Sequence, residues 1–147
     1  MKRYVSTQPA FELFKPDDWK VHSDATGGVL RIAVTDPGGS TVAEVAFGGN
    51  AQGRHDTVSL MAARVRELRA GHPDLSVDAV RVCRDPAISC AVASMSYAEG
   101  GVPMRARVYF HADAQITSVR SVRAPAARFD AERPTLLEVL ANIHVSA

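Results

Sequence analysis

Four stretches in which apolar and polar residues alternate follow one another between residues 75 and 124, separated by short polar turns. In the most regular of them, Met104 to Ala112, every second residue is apolar, and the residues between are Arg105, Arg107, Tyr109 and His111. A period of two is that of a β-strand with one buried face. This part of the chain therefore predicts an antiparallel meander of four strands whose second face is cationic and aromatic.

Shorter segments before this meander alternate in the same way, at residues 11–15, 29–35 and 41–47. A turn-rich sequence, Asp36–Ser40, joins the last two into a predicted hairpin. Trp19 follows a Pro-Asp turn, and we expect its side chain to pack into the core. Residues 48–55 predict a connector rather than a phosphate-binding loop, because the Lys-Ser/Thr ending of such loops is absent.

The sequence between Asp56 and Gly71 has the period of a helix. We expect Asp56 or Thr57 to cap its start, and Gly71 with Pro73 to end it. Its predicted apolar stripe comprises Val58, Met61, Val65 and Leu68. This stripe is expected to pack against the sheet.

A second helix is predicted near the C-terminus, from about Pro134 to Ile143. Proline is tolerated near the start of a helix, so Pro134 is expected to lie in the first turn, with Asp130 as the cap. Leu136, Leu140 and Ile143 form the apolar stripe of this helix.

These elements predict an α+β fold: a single domain, residues 1–147, with an antiparallel sheet of about six strands and two main helices packed on it. Their order resembles the PsbP-like superfold, which includes photosystem II extrinsic proteins, a Ran-binding nuclear import factor and the Eag chaperones of type VI secretion. The resemblance rests on Phe11–Trp19, Asp56–Gly71 and Phe129–Ile143. It implies a largely non-enzymatic adaptor, assembly or chaperone role. No functional residue is carried over, because the Gln-rich strand expected of the chaperones is absent.

The composition is that of an ordinary globular protein, with 46% hydrophobic and 22% charged residues among 147. A net charge of +1 gives no support to nucleic-acid binding. The N-terminus lacks the apolar run of a signal peptide, and no window is apolar enough for a membrane helix. We therefore expect a cytoplasmic protein that neither inserts into a membrane nor binds nucleic acid.

The two cysteines, Cys83 and Cys90, lie at the ends of a predicted hairpin loop that contains the turn sequence Arg84–Pro86. Facing strand positions would allow a cross-strand disulfide in an oxidising compartment. Without a signal peptide, we expect two reduced and partly buried thiols instead. No second Cys or His pair offers zinc-site spacing, so no metal or cofactor is predicted.

No motif in the sequence predicts catalysis. His22, Ser23 and Asp24 have the residue types of a catalytic triad, but adjacency along a strand is not triad geometry. His111 has the most suggestive setting, beside Tyr109 and the arginines, yet a half-exposed strand histidine is more often structural. We therefore predict that this protein is not an enzyme.

The cationic face raises a specific question about Arg107 and Arg120. If Asp113 and Ala114 form the tip of a two-residue hairpin, these arginines lie directly opposite each other, where like charges are destabilising. One explanation is that they extend into water or are neutralised by an acid on a neighbouring strand, for which the candidates are Glu44 and Asp78. The other explanation is that the face binds a ligand.

The second explanation predicts a surface for an acidic or amphipathic protein partner, formed by Arg105, Arg107, Tyr109, His111 and Arg120. Arginine and tyrosine are enriched at protein interfaces. Such a module would be compatible with a homodimer or with a subunit of a larger assembly. The alternative is a small-anion or small-ligand protein, or an enzyme, with its site near Tyr109, His111 and Arg107, because arginine also binds phosphate and carboxylate.

Overall fold

The computed structural model describes residues 1–7, 10–49, 56–83 and 88–145. Its helices are α1 (Thr57–Gly71) and α2 (Ala126–Ala141). In chain order its strands are β1 (Lys2–Thr7), β2 (Ala10–Lys15), β3 (Lys20–Thr26), β4 (Val29–Thr35), β5 (Thr41–Gly49), β6 (Ser76–Val77), β7 (Arg81–Val82), β8 (Ser89–Glu99), β9 (Val102–Ala112), β10 (Ile116–Pro125) and β11 (His144–Val145). The predicted turn at 84–86 and most of the predicted connector at 48–55 lie outside the described residues.

Most strands form one antiparallel sheet in the order β3-β4-β5-β10-β9-β8, and the short β6 and β7 both pair with the outer edge of β8. A separate small sheet consists of β1, β2 and β11. The predicted α+β architecture, with two helices on an antiparallel sheet, is confirmed. There are more strands than expected, because strands such as β1 and β3 are largely exposed and show no clear apolar alternation.

The two helices pack on opposite faces of the larger sheet, and each covers one half of its face. α2 packs over β5 and β10, where Val45 and Val122 are buried, and Trp19 joins this core as predicted. α1 packs on the other face over β8 and β9, where Ala93 and Val108 are buried. The buried face therefore changes between β10 and β9. This leaves β8–β9 uncovered on the α2 side and β4–β5 uncovered on the α1 side.

Helix α1 begins at the predicted cap, since the side chain of Asp56 accepts a hydrogen bond from a backbone N–H of the first turn. Met61 of the predicted stripe is buried, but Val58 is 53% exposed, so its place in the stripe is wrong. Thr57 takes that place at 1% exposure, and its Oγ1 lies 2.6 Å from Ser89 Oγ. One residue along a helix is a rotation of about 100°, which carries Val58 away from the sheet.

Helix α2 begins at Ala126, so the prediction that it starts near Pro134 with Asp130 as cap is wrong. Pro134 stands inside the helix, where it cannot donate to the carbonyl of Asp130. Both residues are exposed, so water can reach that carbonyl. Leu136 and Leu140 of the predicted apolar stripe are buried on α2. Ile143 is buried too, but it lies beyond the end of the helix at Ala141. No helix in the described part of the chain is long and apolar enough to span a membrane.

The hairpin between β9 and β10 turns one residue later than predicted. Asp113 Oδ1 accepts hydrogen bonds from the backbone N–H groups of Gln115 and Ile116, at 2.8 Å each. The backbone N–H of Asp113 in turn donates to the carbonyl of Ile116 at 3.0 Å. This Asx turn places the tip of the hairpin at Ala114 and Gln115.

The later turn changes which side chains face each other across β9 and β10. Arg120 lies opposite Tyr109, and Arg107 lies opposite Val122, so the predicted direct pair of Arg107 and Arg120 is wrong. The two arginines are diagonal neighbours instead, at a greater separation than directly opposed residues have. Since the register shifts by two positions, both arginines remain on the same face of the sheet.

The predicted strand from Leu75 to Cys83 is interrupted at the edge of the sheet. β6 and β7 pair with β8 in registers that differ by one, so that residues 78–80 stand opposite two residues of β8. An extra residue of this kind turns the following side chains to the other face. Arg81 therefore lies on the α2 side, opposite Val92.

Candidate functional site

The uncovered half of the α2 side contains a cavity of about 490 Å³, which we call the α2-side cavity. The described residues that line it are Val92, Arg107, Tyr109, His111, Arg120, Leu137, Leu140 and Ala141. One wall, from β9 and β10, is cationic and aromatic, and the other is the apolar flank of α2. The cavity is therefore amphipathic, with positive charge on its polar wall.

Four of the five residues predicted to form a binding surface line this cavity together: Arg107, Tyr109, His111 and Arg120. The sheet ladder explains why they meet. Arg120 pairs with Tyr109 across β9 and β10, while Arg107 and His111 flank Tyr109 on the same face of β9. The alternation along one strand was visible in the sequence, whereas the approach of Arg120 depends on the register.

Arg105, the fifth predicted residue, lies outside the cavity lining. Its Nη1 donates to Asp130 Oδ1 of α2 at 2.7 Å, and both side chains are about half exposed. An exposed pair of this kind contributes about 0.2–1 kcal/mol to stability. Arg105 borders a neighbouring cavity of about 320 Å³, together with Ser96 and Arg133.

Arg120 is held in place by the fold. Its Nη1 donates to the backbone carbonyl of Leu140 at 3.0 Å, in the last turn of α2, where the helix dipole favours a cation. Its guanidinium carbon lies 5.6 Å from the ring centre of Phe47. Burial lowers the pKa of Arg120, and the nearby Tyr109 acts in the opposite direction. Among the described residues, Arg120 Nε has no hydrogen-bond partner.

Arg107 makes no hydrogen bond or ion pair with another described residue. Neither of the acids proposed to neutralise the arginines does so within the described chain. Glu44 lies opposite Ser121, on the α1 side of the sheet. Asp78 is exposed, and its backbone N–H donates to the carbonyl of Ser94 at 2.9 Å. Within the described chain, Arg107 is therefore a cation at the cavity without a carboxylate partner.

His111 also lines the cavity, and its Nε2 lies 3.4 Å from Asp113 Oδ2. The pKa of Asp113 is lowered, chiefly by hydrogen bonds from the backbone N–H groups of Gln115 and Ile116. The described lining contains no serine, threonine, cysteine or lysine, so a His–Asp pair would find only the phenol of Tyr109 as a nucleophile.

The triad residue types on β3 were not expected to form a catalytic triad, and nothing in the described part of the structure assigns them that role. His22, Ser23 and Asp24 alternate along β3, so Ser23 points to the opposite face from its two neighbours. Over the described ranges, no group of three or more His, Cys, Asp or Glu residues comes together in a way that could hold a metal ion.

Cys83, which follows β7, and Cys90, in β8, face each other and form a disulfide, with Cα atoms 5.1 Å apart. The expectation of two reduced thiols is therefore wrong. Cys90 is also directly opposite His111 on β9, which places the disulfide beside the α2-side cavity. Arg81 of β7 reaches the same side. Strict alternation along the sequence assigns Arg81 to the apolar face, and only the bulge at 78–80 places it on the α2 side.

No protein-family model and no curated protein matches this chain. Solved structures do match it. The PsbP protein of the cyanobacterium Synechocystis, CyanoP, aligns with 99% of this chain and 92% of its own at 11% identity, with a TM-score of 0.63. LpqN, which is involved in cell envelope biogenesis of Mycobacterium tuberculosis, aligns with 99% of this chain and 90% of its own at 14% identity, with a TM-score of 0.57.

A Pseudomonas aeruginosa protein of unknown function also matches, over 91% of this chain and 89% of its own, at 12% identity and a TM-score of 0.51. At these identities the likeness concerns the fold alone. The sheet order, the two helices and these matches agree with the resemblance seen in the sequence. The chain has a PsbP-like fold.

Proposed function

We propose that this protein is a non-enzymatic binding domain that holds an acidic segment of a protein partner in the α2-side cavity. The observation that carries the proposal concerns Arg107, which lines an amphipathic cavity and has no carboxylate partner among the described residues. An arginine that lacks an internal acid is available to an external one.

The walls of the cavity suggest the chemistry of the partner. Arg107 and Arg120 can each present guanidinium N–H groups to a carboxylate, and no acid is among the described lining residues. Leu137 and Leu140 of α2 form the opposite wall, which favours apolar side chains. A segment that carries both glutamate or aspartate and aliphatic residues would satisfy both walls at once.

The extent of the uncovered surface supports a chain segment over a compact ion. The neighbouring cavity at Arg105 continues along the same face of β9, because Ser94, in its lining, pairs directly with Arg107. From Arg105 to His111 the strand extends for roughly 20 Å at the usual rise per residue. A single phosphate would occupy a small part of that length, whereas a peptide would occupy all of it.

The test is charge reversal with a matched control. Arg107→Glu should reduce recovery of the co-purifying partner at least tenfold, while the thermal midpoint stays near that of the wild type. Arg123→Glu is the control, because Arg123 is an exposed strand arginine on the opposite face of β10. If both variants lose the partner equally, or if Arg107→Glu loses none, the proposed site is wrong.

A second candidate function is the binding of a small carboxylate or phosphate compound. The observation that favours it is the size of the α2-side cavity, about 490 Å³, which falls in the range of about 300–1,000 Å³ typical of ligand pockets. Titration of ¹⁵N-labelled protein with inorganic phosphate and with short-chain fatty acids distinguishes the two candidates. Saturable shifts at Tyr109 and His111 below millimolar concentration would favour the small ligand.

The proposal extends to the cellular compartment in which the protein works. The sequence predicts a cytoplasmic protein, but a disulfide such as Cys83–Cys90 is typical of an oxidising compartment. We therefore favour an oxidising compartment, such as the cell envelope, as the working site. Alkylation of thiols in intact cells followed by mass spectrometry tests this: two alkylated cysteines would favour the cytoplasm instead.

A further inference from the structure

We infer that Arg81 is a further binding residue of the α2-side cavity and that the Cys83–Cys90 disulfide holds it there. The affinity of the cavity for an acidic segment would then depend on the redox state of this disulfide. The inference rests on the proposed function, because it concerns the same site and the same class of partner.

Arg81 lies one strand beyond the lining residues of the cavity, on the side away from α2. It lies opposite Val92, which lines the cavity, and Val92 in turn lies opposite Tyr109. Directly paired residues have Cβ atoms about 4.5–5.5 Å apart, so the long Arg81 side chain begins one strand from the cavity wall. A row across four strands results: Arg81, Val92, Tyr109 and Arg120. Arg81 is exposed and makes no bond to another described side chain.

Within the described chain, the segment that carries Arg81 is held by the disulfide and by backbone hydrogen bonds to β8. Residues 78–83 are all exposed, so no apolar side chain anchors them in the core. Backbone hydrogen bonds attach them to β8, including Asp78 N–H to Ser94 O at 2.9 Å and Cys83 N–H to Cys90 O at 3.1 Å. A short edge strand of this kind opens locally at low cost when it buries nothing. The covalent link at Cys83 is therefore the main restraint on the position of Arg81.

A dithiol can remove this restraint by ordinary exchange chemistry. Its thiolate attacks the exposed Cys83 Sγ, which breaks the bond to Cys90 Sγ and forms a mixed disulfide. The second thiol of the reductant then displaces Cys83. Two electrons and two protons pass to the protein, which ends with two thiols, and the reductant ends as its own disulfide. The residues 78–83 are then held by hydrogen bonds alone.

The experiment measures binding of a rhodamine-labelled peptide of alternating glutamate and leucine by fluorescence anisotropy at low salt. In the oxidised protein, Arg81→Ala should weaken binding by about threefold, the size expected of one exposed charge pair. Arg123→Ala, on the opposite face, should leave binding unchanged. Dithiothreitol should weaken wild-type binding by a similar factor and should have no further effect on the Arg81→Ala variant.

The outcomes separate this inference from the proposed function. If the peptide binds and Arg107→Glu abolishes binding, but Arg81→Ala and reduction have no effect, the inference fails and the proposed function stands. If the peptide does not bind the oxidised wild type, both fail. Circular dichroism at each step detects any unfolding on reduction. Should reduction unfold the domain, oxidised Arg81→Glu must weaken binding more than Arg81→Ala, or the role of Arg81 is refuted.

Discussion

Two cavities of about 490 Å³ each lie on opposite faces of the same sheet, and they differ in charge rather than in size. The α2-side cavity has two arginines and no carboxylate in its described lining. The cavity on the α1 side, between α1 and β4–β5, has balanced charges in its described lining: Arg31, Arg64, Glu44 and Glu67.

An uncovered half of a sheet is therefore not by itself a binding site. Both halves are uncovered for the same reason, because each helix packs on only half of its face. On the α1 side, opposite charges can neutralise one another within the chain. On the α2 side, Arg107 has no such partner in the described residues, so an external anion would be stabilising there.

Two core substitutions should have the greatest influence on stability, and they test whether the cores under α1 and α2 contribute equally. Leu136→Ala in the core under α2 and Met61→Ala in the core under α1 remove side chains that are at most 1% exposed. Each should lower the free energy of unfolding by about 2–5 kcal/mol. Urea unfolding followed by the fluorescence of Trp19, the single tryptophan, and by circular dichroism should give one shared transition in both variants.

The contradicting outcome is specific. If Met61→Ala shifts the circular dichroism transition and leaves the Trp19 signal unchanged, the two halves unfold independently. The two faces would then belong to two units that unfold separately.

A smaller change in stability is expected at the ion pair that links α2 to the turn between β4 and β5. Arg128 donates to the carboxylate of Asp36, which is 6% exposed, and to Glu132 Oε2 at 2.6 Å. Burial acts to raise the pKa of Asp36, but the hydrogen bonds from Arg128 and the backbone N–H of Ser40, with the charge of Arg128, outweigh it. The pKa is therefore lowered below 3.8.

Because the folded pKa of Asp36 is depressed, its contribution to stability is present above pH 3.8 and is lost as the pH falls through the folded pKa. Asp36→Asn should cost about 1–3 kcal/mol at neutral pH, with a smaller difference from wild type near pH 2. Asp18→Asn, at an exposed position, should show neither effect. A cost for Asp36→Asn that stays constant between pH 7 and pH 2 would contradict the assignment.

The two arginines that line the α2-side cavity should differ in how much they contribute to stability, by the smallest amount considered. Arg120→Ala removes the bond to the Leu140 carbonyl and the contact with Phe47, and should lower stability by about 1 kcal/mol. Arg107→Ala should change stability by less than about 0.5 kcal/mol, because Arg107 has no bond to lose in the described chain. Urea denaturation of both variants measures this. Equal and large losses would mean that Arg107 is structural.

Local patterns in the sequence were sufficient for several features of this fold. Alternation along Met104–Ala112 identified the cationic face, because side-chain direction in a strand follows directly from position. The helical period and the Asp56 cap located α1. The start of α2 was missed, since the chain continues as a helix through Pro134 where the lost hydrogen bond faces solvent. That exposure is not visible in a local pattern.

Local sequence patterns were enough to predict the α+β class, most of the two apolar helix stripes and four residues of the α2-side cavity. The neighbours of those residues depend on how distant segments of the chain pair in the sheet. The Asp113 turn set the β9–β10 register and placed Arg120 beside Tyr109. The bulge at 78–80 turned Arg81 to the same side. Strand register and bulges depend on pairing between distant segments, and the pattern of any one strand does not encode them.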